Sequence, residues 1–197
     1  MFIPKKFQQH DFVHIKSLMT EFPLATIVAA STKTLESSHV PLYFAENADD
    51  SEYGFLYGHI AKVNPLYTMP ANSQWLVIFQ DTGHYISPNW YPNKAITHKE
   101  VPTWNYRSVH FAVEPTFTTN PIVLKQLIRQ LSDIHEATQP MPWSLNDAPE
   151  QYIEAMCKAI VGFKLKITGV QAQFKLSQNK DKATIASIIK NLRRLNT

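Results

Sequence analysis

Between Leu24 and Glu114 the sequence is cut into short runs rich in β-branched and aromatic residues, each closed by polar or Pro-containing turns. Leu24–Ser31, Ser38–Phe44, Gly54–Ile60, Gln74–Gln80 and Arg107–Glu114 read as strands, because such side chains fit a pleated, half-buried surface and the breaks between the runs leave no length for helices. A small antiparallel sheet or barrel is expected. The second half changes period. Asn120-Pro121 is an N-cap followed by Pro at the first helical position, and Leu124, Leu127, Ile128, Leu131 and Ile134 then mark one apolar face. A second helix is expected from about Pro149 to Val161 with Gly162 as its stop, a strand over Phe163–Gln173, and a last amphipathic helix through Ile185, Ile188, Ile189, Leu192 and Leu195. A short helix behind Asp11 carries Phe12, Ile15, Leu18, Met19 and Phe22. The expected class is α+β, mainly β: one unit, with a barrel core over about 1–118 and a helical, basic extension over 119–197.

Composition supplies the exclusions. The 197 residues are 44% apolar, enough for a sizeable core. No run approaches the eighteen or so apolar residues of a membrane helix, and Met1–Phe7 lacks the apolar stretch of a signal peptide, so a cytoplasmic protein without a membrane partner is expected. The lone Cys157 sits in a helical pattern beside Ile153, Met156 and Ile160, which predicts a buried, inert thiol. The net charge of +3 hides an asymmetry: from Ala155 onward nine Lys or Arg face the single acid Asp181. A basic tail of this kind suits an anionic partner, nucleic acid foremost, and equally suits a solvated helix face.

Two dense blocks stand out, Gly58–Pro65 (GHIAKVNP) and the stretch from Phe79 to Tyr106. They gather His, Asn, Gln, Trp and Tyr, which combine flat apolar faces with hydrogen-bonding edges and so suit a planar, polar-edged ligand. Only five Gly occur, none in GxGxxG or GxxxxGK[ST], so a phosphate would have to be held by side chains. The candidates are Ser37, Ser38 and His39 on one strand and His59, Lys62 and Asn64 after another. Each has a plainer reading. Ser37 and Ser38 can simply start a strand, Asn64-Pro65 is a common turn opener, and Trp90, Tyr91, Trp104 and Tyr106 can be core anchors. Residues 81–106 are expected as a long excursion between strands, of the kind that tends to be functional or interfacial. The eight His include no HExxH or comparable metal-ligand spacing, and no GxSxG elbow marks a hydrolase.

FIPKKF at Phe2–Phe7, SHVPL at Ser38–Leu42, LYGHIAKVNP at Leu56–Pro65, VIFQ…YISPNWY, VPTWNY…VH at Val101–His110 and FKLSQNK at Phe174–Lys180 resemble the PaiB family, in the family's order and across nearly the whole chain. The resemblance implies an FMN-binding negative transcriptional regulator. Its implied fold is a flavin split β-barrel with packed C-terminal helices, usually formed as a homodimer and linked in sporulating bacteria to repression of protease and sporulation genes. It further implies that His59, Ala61, Lys62 and Asn64 hold the flavin phosphate and ribityl chain beside Ser38 and His39. Trp104 and Tyr106, from either subunit, would wall the ring, and Gln80 would meet its edge. The sequence departs from the family pattern at Asp81-Thr82-Gly83-His84, which adds a negative charge near the presumed site, and at Gln171-Ala172-Gln173.

Two functional classes follow, with a third behind them. In the first, the basic residues Lys175, Lys180, Lys182, Lys190, Arg193 and Arg194 contact DNA phosphates and the flavin is a structural or sensing ligand. No helix-turn-helix is evident. In the second the chain is an FMN-dependent oxidoreductase or a haem-utilisation-like enzyme, since the same fold hosts several chemistries. The third is a cofactor-free dimeric interaction module.

Overall fold

The computed structural model describes residues 1–46 and 51–195. In chain order the elements are α1 (Phe12–Glu21), β1 (Leu24–Ala30), β2 (Leu35–Pro41), β3 (Tyr43–Ala45), β4 (Phe55–Ala61), β5 (Gln74–Gln80), β6 (His84–Ile86), α2 (Lys94–Thr97), β7 (Thr103–Thr118), α3 (Pro121–Glu136), α4 (Glu150–Lys158), β8 (Ile160–Lys175) and α5 (Lys182–Leu195). The strand order is β2-β1-β5-β7-β8-β4-β3, with β6 paired to β7. The registered pairs β1–β2, β1–β5, β3–β4, β4–β8 and β6–β7 are all antiparallel. β8 lies between β7 and β4, so the residues after 118 supply a strand inside the sheet as well as helices.

The chain divides into two compact units. One comprises Met1–Leu18, Gln80–Val109 and Gln171–Thr197; the other comprises Met19–Phe79 and His110–Val170. In the second unit β1 and β5 alternate strictly between buried and outward positions, as a strand with one face on a core must. Phe79 and Phe111 meet edge to face at 6.0 Å, and Phe117 packs edge-on against Tyr67, Trp75 and Phe163. α3 begins where Asn120 Oδ1 accepts the Ile122 and Val123 N–H groups, and it buries Leu124, Leu127 and Leu131. Leu127 and Leu131 pack with Tyr43, which stacks on Tyr57 at 5.1 Å.

In the first unit, Ile86, Tyr91 and Ile188 form a small core with Trp90 and Leu192. Elsewhere in this unit the buried pair Ser177–Asn105 is joined at 2.8 Å and Gln173 Nε2 donates to the Tyr106 hydroxyl at 2.8 Å. Ser177 has a φ of 61, and Gln178 donates to the carbonyls of Lys6 and Phe174, so the SQN run is a tight turn held by its own side chains.

Three expectations need correction. Gly162 does not stop α4. The helix ends at Lys158 and Gly162 lies inside β8, where an added Cβ would meet Leu124 Cδ2 at 2.9 Å. A close approach between sheet and helix, not a left-handed cap, requires that glycine. The single strand expected over Ser38–Phe44 is two, because the backbone leaves one partner at Pro41 and joins another at Tyr43. Residues 81–106 are not a bare excursion: they hold β6, α2 and the start of β7, whose sixteen residues run well past the expected Arg107–Glu114.

Candidate functional site

Six of the sequence-derived site residues, Ser38, His39, His59, Ala61, Lys62 and Asn64, fall in the second unit, and Gln80, Trp104 and Tyr106 fall in the first. Within the second unit the structure joins Ser38 to Asn64. Asn64 Nδ2 donates to Ser38 Oγ at 2.9 Å, while Asn64 Oδ1 accepts the Leu66 N–H at 3.0 Å and caps the single turn Pro65–Thr68. Asn64 thus caps the turn, as the Asn-Pro pair predicts, and holds Ser38 with the same side chain.

His39 neighbours Ser38 on β2, so strand alternation turns it to the opposite face, where its Nδ1 pairs with Thr26 Oγ1 at 3.0 Å. Lys62 is exposed, and its Nζ donates to the Lys158 carbonyl at 2.6 Å. Its own N–H reaches the Ala159 carbonyl at 2.9 Å. A cation beside the last carbonyls of α4 is favoured by the helix dipole. Ala61 is exposed at the end of β4.

His59 is the least satisfied member. Its Nδ1 is buried without a hydrogen-bond partner, and burial lowers the imidazole below its ordinary pKa of 6.5. A buried, unpartnered ring nitrogen costs free energy unless something meets it, so His59 would gain from a ligand atom. Gly58 beside it is a packing glycine: a Cβ there would meet Leu42 Cδ2 at 2.6 Å and Phe163 Cζ at 2.9 Å.

In the first unit Trp104 is 54% exposed and Tyr85 48% exposed. They sit opposite each other in the β6–β7 pair with ring centroids 6.1 Å apart. An indole face so open is unusual for a core anchor. Tyr106 is half-buried and its hydroxyl is taken by Gln173, and Gln80 ends β5 exposed. The added charge of Asp81 is neutralised locally. Its Oδ2 lies 2.8 Å from Arg107 Nε, and its Oδ1 accepts the N–H groups of Gly83 and Arg107 at 3.1 Å each. Gly83, at a φ of 63, completes that turn.

The proposed basic contacts divide as well. Lys175 donates to Thr103, and Lys180 bonds Glu100 at 2.8 Å while lying over the Tyr91 ring at 4.6 Å. Lys182, Lys190, Arg193 and Arg194 are exposed on α5. At about 100° per residue they fall within an arc of roughly 120° on the helix, opposite buried Thr184 and Ile188.

Sequence reasoning missed Tyr85 as the companion of Trp104, because a three-residue strand is too short to show alternation. It also missed Lys125 and Lys158, which with Lys62 line one cavity; a position on two separate helices leaves no linear signal. Among the described residues no group of His, Cys, Asp or Glu is arranged to hold a metal ion, and no helix is long and apolar enough to cross a membrane.

Comparison with known proteins places this geometry. The flavocytochrome Anf3 from Azotobacter vinelandii superposes with a TM-score of 0.65 at 12% identity, covering 93% of this chain and 78% of that one. The FAD and heme binding protein from Mycobacterium smegmatis superposes with a TM-score of 0.61, also at 12% identity, covering 91% and 78%. The fold is thus the flavin split barrel, α+β and mainly β, with helices following in sequence. Residues 1–169 match the family described as "Putative FMN-binding domain". Over 193 residues the chain is 32% identical to the Protease synthase and sporulation protein PAI 2 of Bacillus subtilis, covering 98% of this chain and 89% of that protein. The chain belongs to this FMN-binding family, the PaiB family, and the cofactor of the family is FMN.

Proposed function

We propose that the chain is an FMN-binding negative regulator of transcription that works as a cytoplasmic homodimer and meets DNA through the basic unit. The observation that carries the regulatory part is the segregation of charge. The first unit holds twelve Lys or Arg against four Asp or Glu, a balance of +8, and the second holds seven against twelve, a balance of −5. Such a distribution gives a polyanion one preferred surface on a protein whose overall charge is small.

The residues present fit a flavin phosphate. That group is close to dianionic near neutral pH and needs several donors. Lys62 Nζ carries three N–H bonds and spends one on the Lys158 carbonyl; Asn64 Nδ2 carries two and spends one on Ser38. The orphaned His59 Nδ1 supplies a further polar contact. FMN supplies electron-transfer capacity when bound, and the side chains bind and orient it. In this reading Lys182, Lys190, Arg193 and Arg194 contact phosphates on α5, whereas Lys175 and Lys180 mainly order the first unit through Thr103, Glu100 and Tyr91.

The test is binding to a library of genomic duplexes, read by fluorescence anisotropy across a salt series with and without FMN. Regulation predicts selection of defined sequences and a steep fall in affinity with salt. No selection, together with steady FMN-dependent oxidation of a reduced nicotinamide, would replace the regulator with an oxidoreductase.

A further inference from the structure

Lys62 follows the last residue of β4, and the β4–β8 ladder holds it beside the end of α4, because Ala61 pairs with Ile160 and α4 closes at Lys158. The last carbonyls of a helix have no partner within it. Here the Ala159 N–H serves those of Met156 and Cys157, and Lys62 serves the next two. Its own N–H reaches the Ala159 carbonyl at 2.9 Å, and its Nζ donates to the Lys158 carbonyl at 2.6 Å. The acceptor is itself anchored. Cys157 in the same turn is buried, and Lys125 on α3 lies 3.2 Å from both Glu150 and Glu154. We propose that the carboxyl end of α4 is a positioning element for the flavin phosphate, its Lys158 carbonyl holding the Lys62 ammonium in one orientation before the phosphate binds. This rests on Lys62 being the ammonium that meets that phosphate.

An exposed lysine has several torsions to fix when it binds an anion, and that lost freedom subtracts from affinity. A carbonyl that already holds Nζ removes part of the cost. The acceptor is neutral, so the ammonium keeps its charge, and two of its three N–H bonds remain for phosphate oxygens. The partial negative charge at the end of α4 draws the ammonium in without neutralising it. The coupling is reciprocal: what the last turn of α4 contributes to phosphate binding, bound phosphate returns to the turn. α4 suits such coupling. It has nine residues, starts at Pro149 without a side-chain cap bond and buries only Cys157, and a helix so short is marginal by itself.

Met156 lies on that turn with its side chain largely in solvent, so Met156→Gly and Met156→Ala remove the same side chain and only the glycine loosens the helix. Affinities of the full chain for FMN and for riboflavin are measured by flavin fluorescence. Met156→Gly is expected to weaken FMN binding about two- to fivefold, the upper bound being the whole Gly-for-Ala cost at one helical position, and to leave riboflavin binding unchanged. Met156→Ala keeps both affinities. Hydrogen exchange read by mass spectrometry supplies the reciprocal half. FMN slows exchange over residues 156–159 by a similar factor, riboflavin does not, and Lys62→Ala speeds exchange there with no flavin present. Equal losses for FMN and riboflavin in Met156→Gly would make the role of α4 merely structural. Unchanged FMN affinity in Met156→Gly, or unchanged exchange in Lys62→Ala, would overturn the proposal outright. If the parent shows no preference for FMN over riboflavin, Lys62 as the partner of the phosphate fails, and the positioning role with it. A preference that Met156→Gly leaves intact sinks the positioning role alone.

Discussion

The two units bind their charges in opposite ways. In the acidic unit, cations are few and several are placed: Lys125 between Glu150 and Glu154, Lys164 over the Phe55 ring at 3.8 Å, and Lys62 at the end of α4. In the basic unit the acids are few and committed: Asp81 to Arg107, Glu100 to Lys180, and Asp181 to the N–H and hydroxyl of Thr184 at 2.9 and 2.8 Å, which starts α5. Lys182, Lys190, Arg193 and Arg194 lie exposed on α5. The proposed function assigns the two units two tasks that a count of +3 conceals: holding a compact anion with a few oriented donors, and presenting a surface to an extended one.

The largest expected effect sharpens the description of the units themselves. Phe79 is fully buried against Phe111, and Phe79→Ala is expected to cost about 3–5 kcal/mol of stability through lost packing and a residual cavity. Because β7 and β8 each pass through both units, urea unfolding should show a single transition moved to lower denaturant. Two transitions, only one of them moved, would mean that the units unfold independently. Next in size is Lys62→Ala. Losing a charged donor from a bound phosphate costs about 1.5–3 kcal/mol, so FMN affinity should fall at least tenfold while the melting profile stays near that of the parent. Unchanged affinity in a flavin titration would remove Lys62 from the site.

A third effect divides the units by charge. Replacing Lys182, Lys190 and Arg193 by Gln should lower the salt dependence of DNA binding by about one logarithmic unit of slope for each phosphate no longer neutralised. The same change at Lys33 and Lys166 in the acidic unit should leave the slope alone. Equal effects from the two sets would dissolve the distinction between the units.

The smallest effect concerns pH. Burial depresses the folded-state pKa of His59, and that of His110 in the same direction, so the unfolded chain takes up these protons more readily than the folded one. Their contribution is complete above the ordinary pKa of about 6.5 and is lost as pH falls below it. His59→Gln should flatten part of that decline in stability between about pH 6.5 and 5, read by urea midpoints. A decline of the same steepness in the variant would show that His59 is solvated in the folded protein.

Much of this was legible in the sequence where one residue carries its own signal. Asn120-Pro121 fixes the start of α3, Asp11 Oδ1 accepts the Val13 N–H at the start of α1, and Gln74–Gln80 is a strand with the expected bounds. What stayed hidden depends on partners distant in the chain. Gly162 looks like a helix stop until Leu124 is seen against it. Asp81 looks like a stray charge until Arg107, 26 residues later, is paired with it. His39 and Ser38 look like one cluster, yet strand alternation gives them to opposite faces. The candidate site shares this limit, since Ser38 on β2 meets Asn64, 26 residues later, only in the fold, and no spacing in the sequence announces that meeting.

The most direct test of the account is a titration of the purified protein with FMN and riboflavin side by side, followed by flavin absorbance and Trp fluorescence at constant ionic strength. The account predicts that FMN binds at least tenfold more tightly than riboflavin, because the phosphate meets Lys62 and its neighbours. Equal affinity for the two flavins would contradict a phosphate site at Lys62, Asn64 and Ser38, and no binding of either would contradict FMN as the ligand of this chain.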